Sequence, residues 1–205
     1  MIIKLEKQKK DNRFNLFVDG EFYSGLNVDQ VAKYNLKSGQ DLEKDFIDQI
    51  VLESETFYAF NKVLKYISKS MKTEHDLQKY LLQKGFKDDV IQQTIQKLKD
   101  YNYLNDELYV KSYVETYKNK YGINKIKQNL KNKNIDEELI NQYLNFDEKK
   151  VIFNIKKEIL KQTKNKELDL KQKQRLYRNL TYKGYSFEQI KKAFNMLGED
   201  DENWD

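Results

Sequence analysis

The sequence predicts a mainly α-helical chain: three tandem three-helix repeats behind a small N-terminal β element. Three observations predict it. One apolar motif occurs three times. Leu77 and Leu81 lead to Gly85-Phe86, Ile91 and Ile95; Ile126 and Leu130 lead to Asn134-Ile135, Ile140 and Leu144; Leu176 and Leu180 lead to Gly184-Tyr185, Ile190 and Phe194. The copies are offset by 49 and 50 residues with identical internal steps, a period in the range of arrays of small helical units. Second, Gly85, Asn134 and Gly184 occupy one position, after the second helix of each copy, where a left-handed C-cap wants Gly or Asn. Third, residues 1–25 alternate with the period of a strand, and Asp19-Gly20 supplies the positive φ angles of a two-residue hairpin turn.

The N-terminal segment, 1–55, begins with Ile3 and Leu5 alternating with Lys4 and Glu6. Residues 7–12 read as a polar connector, and Phe14, Leu16 and Val18 lead into the hairpin with Phe22-Tyr23. A sheet this small needs a cover. Val28, Val31, Ala32 and Leu36 offer one on a short helix, which Ser38-Gly39 ends. Helical spacing resumes at Leu42, Phe46, Ile47 and Ile50 and leads toward the first repeat.

The first repeat, 56–106, is expected to place helices over 56–70, 74–84 and 89–100. Phe60, Leu64, Ile67 and Met71 form its apolar stripe, and Lys62, Lys65, Lys69 and Lys72 repeat that spacing about 200° away. The second repeat, 107–148, uses 107–120, 123–133 and 137–146. The third, 149–198, uses 149–165, 169–183 and 187–197, and an acidic tail, 199–205, follows. Thr73 and Asp136 are N-cap candidates, and Ser186 with Gln189 has capping-box spacing.

Hydrophobic residues make up 39% of the chain and charged residues 35%, so charge covers faces of structured helices around several small cores. With no cysteine, disulfides and thiolate–metal sites are excluded. No apolar run approaches the roughly 18 residues of a membrane span, and the N-terminus alternates rather than forming a signal-peptide core. The expectation is a soluble, cytoplasmic, monomeric protein. Proline is absent and Lys, Asn, Ile and Tyr abound, a bias that an AT-rich genome produces by itself, so the distribution of charge tells more than lysine content. Residues 1–55 carry 8 basic and 11 acidic side chains, residues 151–195 carry 12 and 4, and the last ten carry five acids and no base.

Catalytic constellations are missing. The single histidine, His75, reads as a solvent-facing residue in a first helical turn. The seven glycines form no phosphate loop. The carboxylate clusters Asp88-Asp89 and Asp136-Glu137-Glu138 fall at helix N-termini, where acids favour the dipole. Neither a cofactor nor a metal is expected, and no enzyme. The basic rows remain. Lys157, Lys161 and Lys164 lie opposite Ile152, Ile155 and Ile159, and Lys171, Arg175 and Arg178 share that spacing on the next helix. One such row is ordinarily the wet side of a helix; two on consecutive helices point to an anionic partner. Interleaved tyrosines, Tyr177, Tyr182 and Tyr185 here and Tyr101, Tyr103, Tyr109, Tyr113 and Tyr117 earlier, fit packing between small helices or stacking on single-stranded bases.

The run from Asp76 carries Leu77, Tyr80-Leu81, Lys84-Gly85-Phe86, Ile91, Ile95 and Leu98, and closes with Tyr103-Leu104-Asn105-Asp106-Glu107-Leu108-Tyr109. Together with Tyr113, Gly122, Ile126, Leu130 and Ile135, and with the N-terminal runs 18–22 and 31–40, it resembles the RecX family of recombination regulators over almost the whole chain. Two places depart from the family pattern. Asn102 stands where glycine is usual, and Met71-Lys72-Thr73 replaces arginines. The resemblance implies a non-enzymatic modulator that lies along the groove of the RecA filament on single-stranded DNA. It would restrain filament growth, ATP turnover, strand exchange and co-protease activity, with only weak duplex binding. Candidate contacts are Lys157, Lys161, Lys164, Lys171, Arg175 and Arg178, with Lys62, Lys65, Lys69 and Lys72 as a second patch. The alternative from the residues alone is a helix-turn-helix-like regulator that binds duplex DNA without RecA.

Overall fold

The structure, a computed structural model, describes residues 1–9, 13–163 and 168–198. It divides into two compact units, Met1–Asn105 and the residues from Asp106 on.

In the first unit, β1 (Ile3–Lys7), β2 (Arg13–Val18) and β3 (Glu21–Asn27) form an antiparallel sheet in that order. Asp19 and Gly20 take φ values of 49° and 89°, the pair of positive angles a type I′ turn requires. Helix α1 (Val28–Lys33) follows and covers the sheet only in part: Val31 packs half-buried against the core, while Ala32 is exposed. The buried part of the cover is Leu36 together with Ile47 and Ile50 of α2, which pack on Ile3, Leu16, Val18 and Leu26. Six residues give α1 less than two turns, too short a stripe to span the sheet.

Helix α2 (Lys44–Ile67) runs without a break through residue 55, so the N-terminal segment and the first three-helix repeat share one helix. Residues 51–56 hold no Gly or Pro to stop it. Ser54 and Thr56 turn inward to tertiary partners: Ser54 Oγ accepts from the Asn27 N–H at 2.7 Å, and Thr56 Oγ1 donates to Gln93 Oε1 at 3.3 Å. Over the first repeat its buried apolar face is Ala59 and Val63, with Phe60, Leu64 and Ile67 only partly buried beside them. Met71, the last member of the expected stripe, is 45% exposed and lies past the helix end. Helices α3 (Glu74–Gln83) and α4 (Asp88–Asp100) close a core of Leu77, Leu81, Phe86, Val90, Ile91, Ile95 and Leu98. Thr73 and Asp76 form a capping box at the start of α3.

The second unit holds α5 (Asp106–Tyr117), α6 (Ile123–Lys131), α7 (Glu137–Tyr143), α8 (Glu148–Thr163), α9 (Leu170–Tyr182) and α10 (Phe187–Asn195). Val110, Val114, Ile126, Leu130, Ile135 and Ile140 pack together in one core; Val151, Ile155, Ile159, Leu176, Leu180, Tyr185, Ile190, Ala193 and Phe194 make the other. Asp136 caps α7, and capping boxes start α9 at Asp169 and α10 at Ser186. Gly85, Asn134 and Gly184 all have positive φ: 82°, 56° and 87°. Asn102 does too, at 57°, a conformation in which Asn is the common substitute for glycine.

Backbone meets backbone where α6 begins. The Gly122 N–H donates to the Lys183 carbonyl at 2.8 Å, so the start of α6 docks on the α9–α10 turn. Lys125 lies over the Tyr182 ring at 4.6 Å. Tyr185 is buried just past that turn, and Lys183 reaches Glu158 of α8 at 2.7 Å. Burial, with the Glu158 carboxylate adding, pushes the Tyr185 phenol from 10.0 up to about 12. An unfolded tyrosine releases its proton from pH 10 upward while the folded one keeps it. This contribution to stability is therefore complete below pH 10 and shrinks as pH rises toward 12. Tyr185→Phe is expected to flatten that alkaline decline. An unchanged alkaline limb in denaturant titrations of the variant would show that another group causes it.

Among the described residues no helix is long and apolar enough to cross a membrane, and no cluster of three or more His, Asp or Glu could hold a metal ion.

Candidate nucleic-acid interface

The two basic patches named from the sequence fare differently. Lys62 and Lys65 lie on α2 as the spacing predicts. Lys69 and Lys72 do not, because α2 ends at Ile67 and both sit on the segment that leads to α3. The turn nevertheless carries them to the same place. All four line one cleft of about 950 Å³ in the first unit.

The rest of the cleft comes from elements the sequence did not connect with it. α2 contributes Phe57, Tyr58, Asn61 and Tyr66, α3 contributes Tyr80, and the sheet contributes Arg13 and Asn27. Among the described residues no carboxylate lines it. Among the described residues none of the four lysines forms an ion pair, whereas Lys33 and Lys99 of the same unit pair with Glu53 and Glu74. Like charges gathered without counter-ions repel, and an anion that enters removes the repulsion.

Aromatic rings hold the cations in place. Arg13 and Lys62 lie over Tyr58 at 4.2 and 4.6 Å, Lys72 over Tyr66 at 5.0 Å and Lys84 over Tyr80 at 5.7 Å. Tyr66 and Tyr80 stack at 4.2 Å with planes 7° apart. Each such contact is worth about 0.5–2 kcal/mol and restricts a side chain that would otherwise be ordered only on binding. Arg13 is fixed most firmly. Its Nη2 donates to the Gly25 carbonyl at 2.7 Å, and its Nε is buried with no hydrogen-bond partner. Gly25 makes the room, since a Cβ there would lie 2.8 Å from Nη2. The sequence does not mark Arg13, which reads as the polar member of an alternating strand. Its contact with Tyr58 lies 45 residues along the chain.

The third-repeat patch forms no such cleft. Lys157 and Lys161 stand exposed on α8, and Lys171, Arg175 and Arg178 stand exposed on α9. Lys164 lies outside the described residues, as does the acidic tail 199–205. Both helices pack against α10. Among the described residues no ring holds any of these five cations. Part of the local basic excess is spent inside the repeat. Lys183 and Lys192 pair with Glu158 and Glu148, each at 2.7 Å, and Lys156 donates to the Met196 carbonyl at 3.2 Å.

Known proteins match the chain along its length. Residues 1–43 match the regulatory protein RecX N-terminal domain, and residues 59–98, 105–144 and 155–194 match the first, second and third three-helix domains of RecX. Regulatory protein RecX of Clostridium perfringens (strain 13) is 33% identical over 193 residues, covering 91% of each chain. That of Bacillus velezensis is 34% identical over 201 residues, covering 94% of this chain and 75% of the relative. A crystal structure of regulatory protein RecX superposes with a TM-score of 0.67 at 26% identity, covering 97% of this chain and 99% of that one. The matches follow the order of the sheet and the three helical repeats, and the chain belongs to the RecX family of regulatory proteins.

Proposed function

We propose that the protein regulates the RecA recombinase by binding the RecA filament on single-stranded DNA. Bound there, it limits filament growth and with it ATP hydrolysis, strand exchange and co-protease activity. The observation that carries this reading is the cleft in which Lys62, Lys65, Lys69, Lys72 and Arg13 converge, among the described residues, with no carboxylate. Such a cleft accepts a polyanion. The exposed row of Lys157, Lys161, Lys171, Arg175 and Arg178 gives a second anionic contact, and two weak contacts on one chain reinforce each other on a repeating partner. The protein acts as a monomer in the cytoplasm, with at most weak affinity for duplex.

The test is the ATPase rate of the cognate RecA on single-stranded DNA, titrated with this protein. Inhibition is expected well below one molecule per RecA protomer, because blocking a growing end stops many protomers. No effect in excess, with filaments verified by microscopy, would sink the reading. A sequence-specific footprint on duplex without RecA would then favour the helix-turn-helix alternative.

A further inference from the structure

A second, smaller recess adjoins the cleft. Phe57, Phe60, Lys97, Tyr101 and Tyr103 line it, with a volume of about 280 Å³. Phe57 lines both recesses. Its rings are unusually open for a helical repeat: Tyr101 is 66% exposed, Tyr103 54% and Phe57 39%. They meet one another edge-on or tilted, Phe60 to Tyr101 at 5.8 Å and 64°, Phe60 to Tyr103 at 6.1 Å and 67°, and Tyr101 to Tyr103 at 6.4 Å and 49°. No two of these three faces cover each other. Asn102 between the two tyrosines takes a left-handed conformation.

The two recesses differ in what covers the rings. In the cleft Tyr58, Tyr66 and Tyr80 each carry a cation of the chain itself, so those rings hold charges for phosphates and offer little face to a base. In the smaller recess, among the described residues, no cation lies over Phe57, Phe60, Tyr101 or Tyr103. Lys97 stands exposed at its edge without an ion pair. A phosphate-holding groove beside open aromatic faces is the arrangement that grips single strands, whose unpaired bases stack on any π face while the backbone follows the charge. In a duplex the same bases are stacked on one another and cannot enter.

We infer that the recess of Phe57, Phe60, Tyr101 and Tyr103 is a nucleobase subsite, continuous through Phe57 with the phosphate-holding cleft. The recess thus takes one unpaired base of a strand whose phosphates lie in the cleft. Lys97 contacts the phosphate that follows the stacked base, and Arg13 fixes the backbone at the other end. This rests on reading the cleft as a polyanion site and adds what the ligand presents beside it: an unpaired base. An acidic protein segment would satisfy the lysines equally and leave the rings open.

The experiment compares two fluorescent strands of equal length, an oligodeoxythymidine and an abasic strand with the same phosphates, each binding the full chain without RecA. The wild type is expected to bind the thymidine strand roughly tenfold more tightly, the range of one stacked base. The double variant Tyr101→Ala/Tyr103→Ala is expected to bind both strands at the abasic level. Both side chains are more than half exposed, and an unchanged helical circular dichroism spectrum verifies the fold. Lys65→Glu should weaken both strands by the same factor. Equal affinity of the wild type for the two strands would overturn the inference. So would a tyrosine variant that keeps the wild-type preference, and if that variant also lost RecA inhibition, the recess would be a protein-docking surface instead. The filament reading fails separately: a chain that prefers bases but leaves RecA turnover unchanged would keep this subsite and lose that function.

Discussion

Replacing Lys62, Lys65 and Lys69 together by glutamate is expected to abolish inhibition of RecA at concentrations where the wild type is saturating. Among the described residues the three side chains line a cleft without a carboxylate, so each reversal removes an attraction for a bound polyanion and adds a repulsion. Hydrogen bonds to charged groups contribute about 1.5–3 kcal/mol each. Losing three should weaken polyanion binding at least about a thousandfold. The salt dependence gives the sharper reading. Each single-strand phosphate contact contributes roughly 0.7 to the slope of log affinity against log salt, so the slope should fall by roughly 2. The fold should survive, because these residues lie outside the core of Ala59, Val63, Leu77 and Leu81. The same reversal at Lys157, Lys161, Arg175 and Arg178 probes the second patch. A smaller loss is expected there, since among the described residues no ring or cleft holds those side chains in place. Wild-type inhibition by the folded Lys62/Lys65/Lys69 variant would remove the cleft from the mechanism.

Gly122→Ala is expected to cost the second unit about 3 kcal/mol, at the upper end of what overpacking costs. The backbone conformation is no obstacle: Gly122 has φ −74° and ψ 164°, open to any residue. The obstacle is space. A Cβ there would stand 2.1 Å from the Gly184 carbonyl oxygen, 2.3 Å from its carbon and 2.5 Å from the Tyr185 nitrogen. These are backbone atoms with no rotamer to change, so α6 and the α9–α10 turn must separate. The Gly122 to Lys183 hydrogen bond and the Lys125 contact with Tyr182 would go with them. For a unit of about 100 residues the midpoint of thermal unfolding should drop by roughly 12–24 °C. Gly85→Ala is the control. Its site has open space around the missing Cβ and only the positive φ of 82°, for a cost of about 1–2 kcal/mol. Thermal unfolding of the three proteins decides it, and a Gly122→Ala midpoint within a degree or two of the wild type would refute the interlock.

Much of the fold was written in local signals. Thr73, Asp136 and Ser186 cap the helices they precede, because an N-cap needs only a side-chain oxygen and the next three residues. Positions 85, 134 and 184 turn left-handed because only Gly and Asn do so cheaply, and the three copies agree on it. Departures arise where a local pattern met a competing tertiary partner. The division expected between residues 55 and 56 falls inside α2, where the Ser54 and Thr56 hydroxyls bond Asn27 and Gln93. The stripe expected to end at Met71 stops at Ile67, and α1 with Leu36 shares the cover of the sheet with Ile47 and Ile50.

The candidate site divides the same way. Lys62 and Lys65 were legible because helical spacing puts them on one face of α2, whereas Lys69 and Lys72 reach the same cleft through the turn that follows Ile67. Arg13, Tyr58, Tyr66, Tyr80 and Gly25 were not legible, since each acts through a residue that is distant in sequence. Gly122 left one faint signal: it starts α6 without a side-chain cap, where Thr73 caps the matching helix of the first repeat. By itself, then, the sequence determined the repeat, its caps, the hairpin and the sign of the charged faces, all of which depend on interactions within about four residues. Only the tertiary structure decided which cations share a cleft, which rings stay open and where two glycines let backbones touch. Those depend on distances between residues tens of positions apart, which packing sets and periodicity does not record.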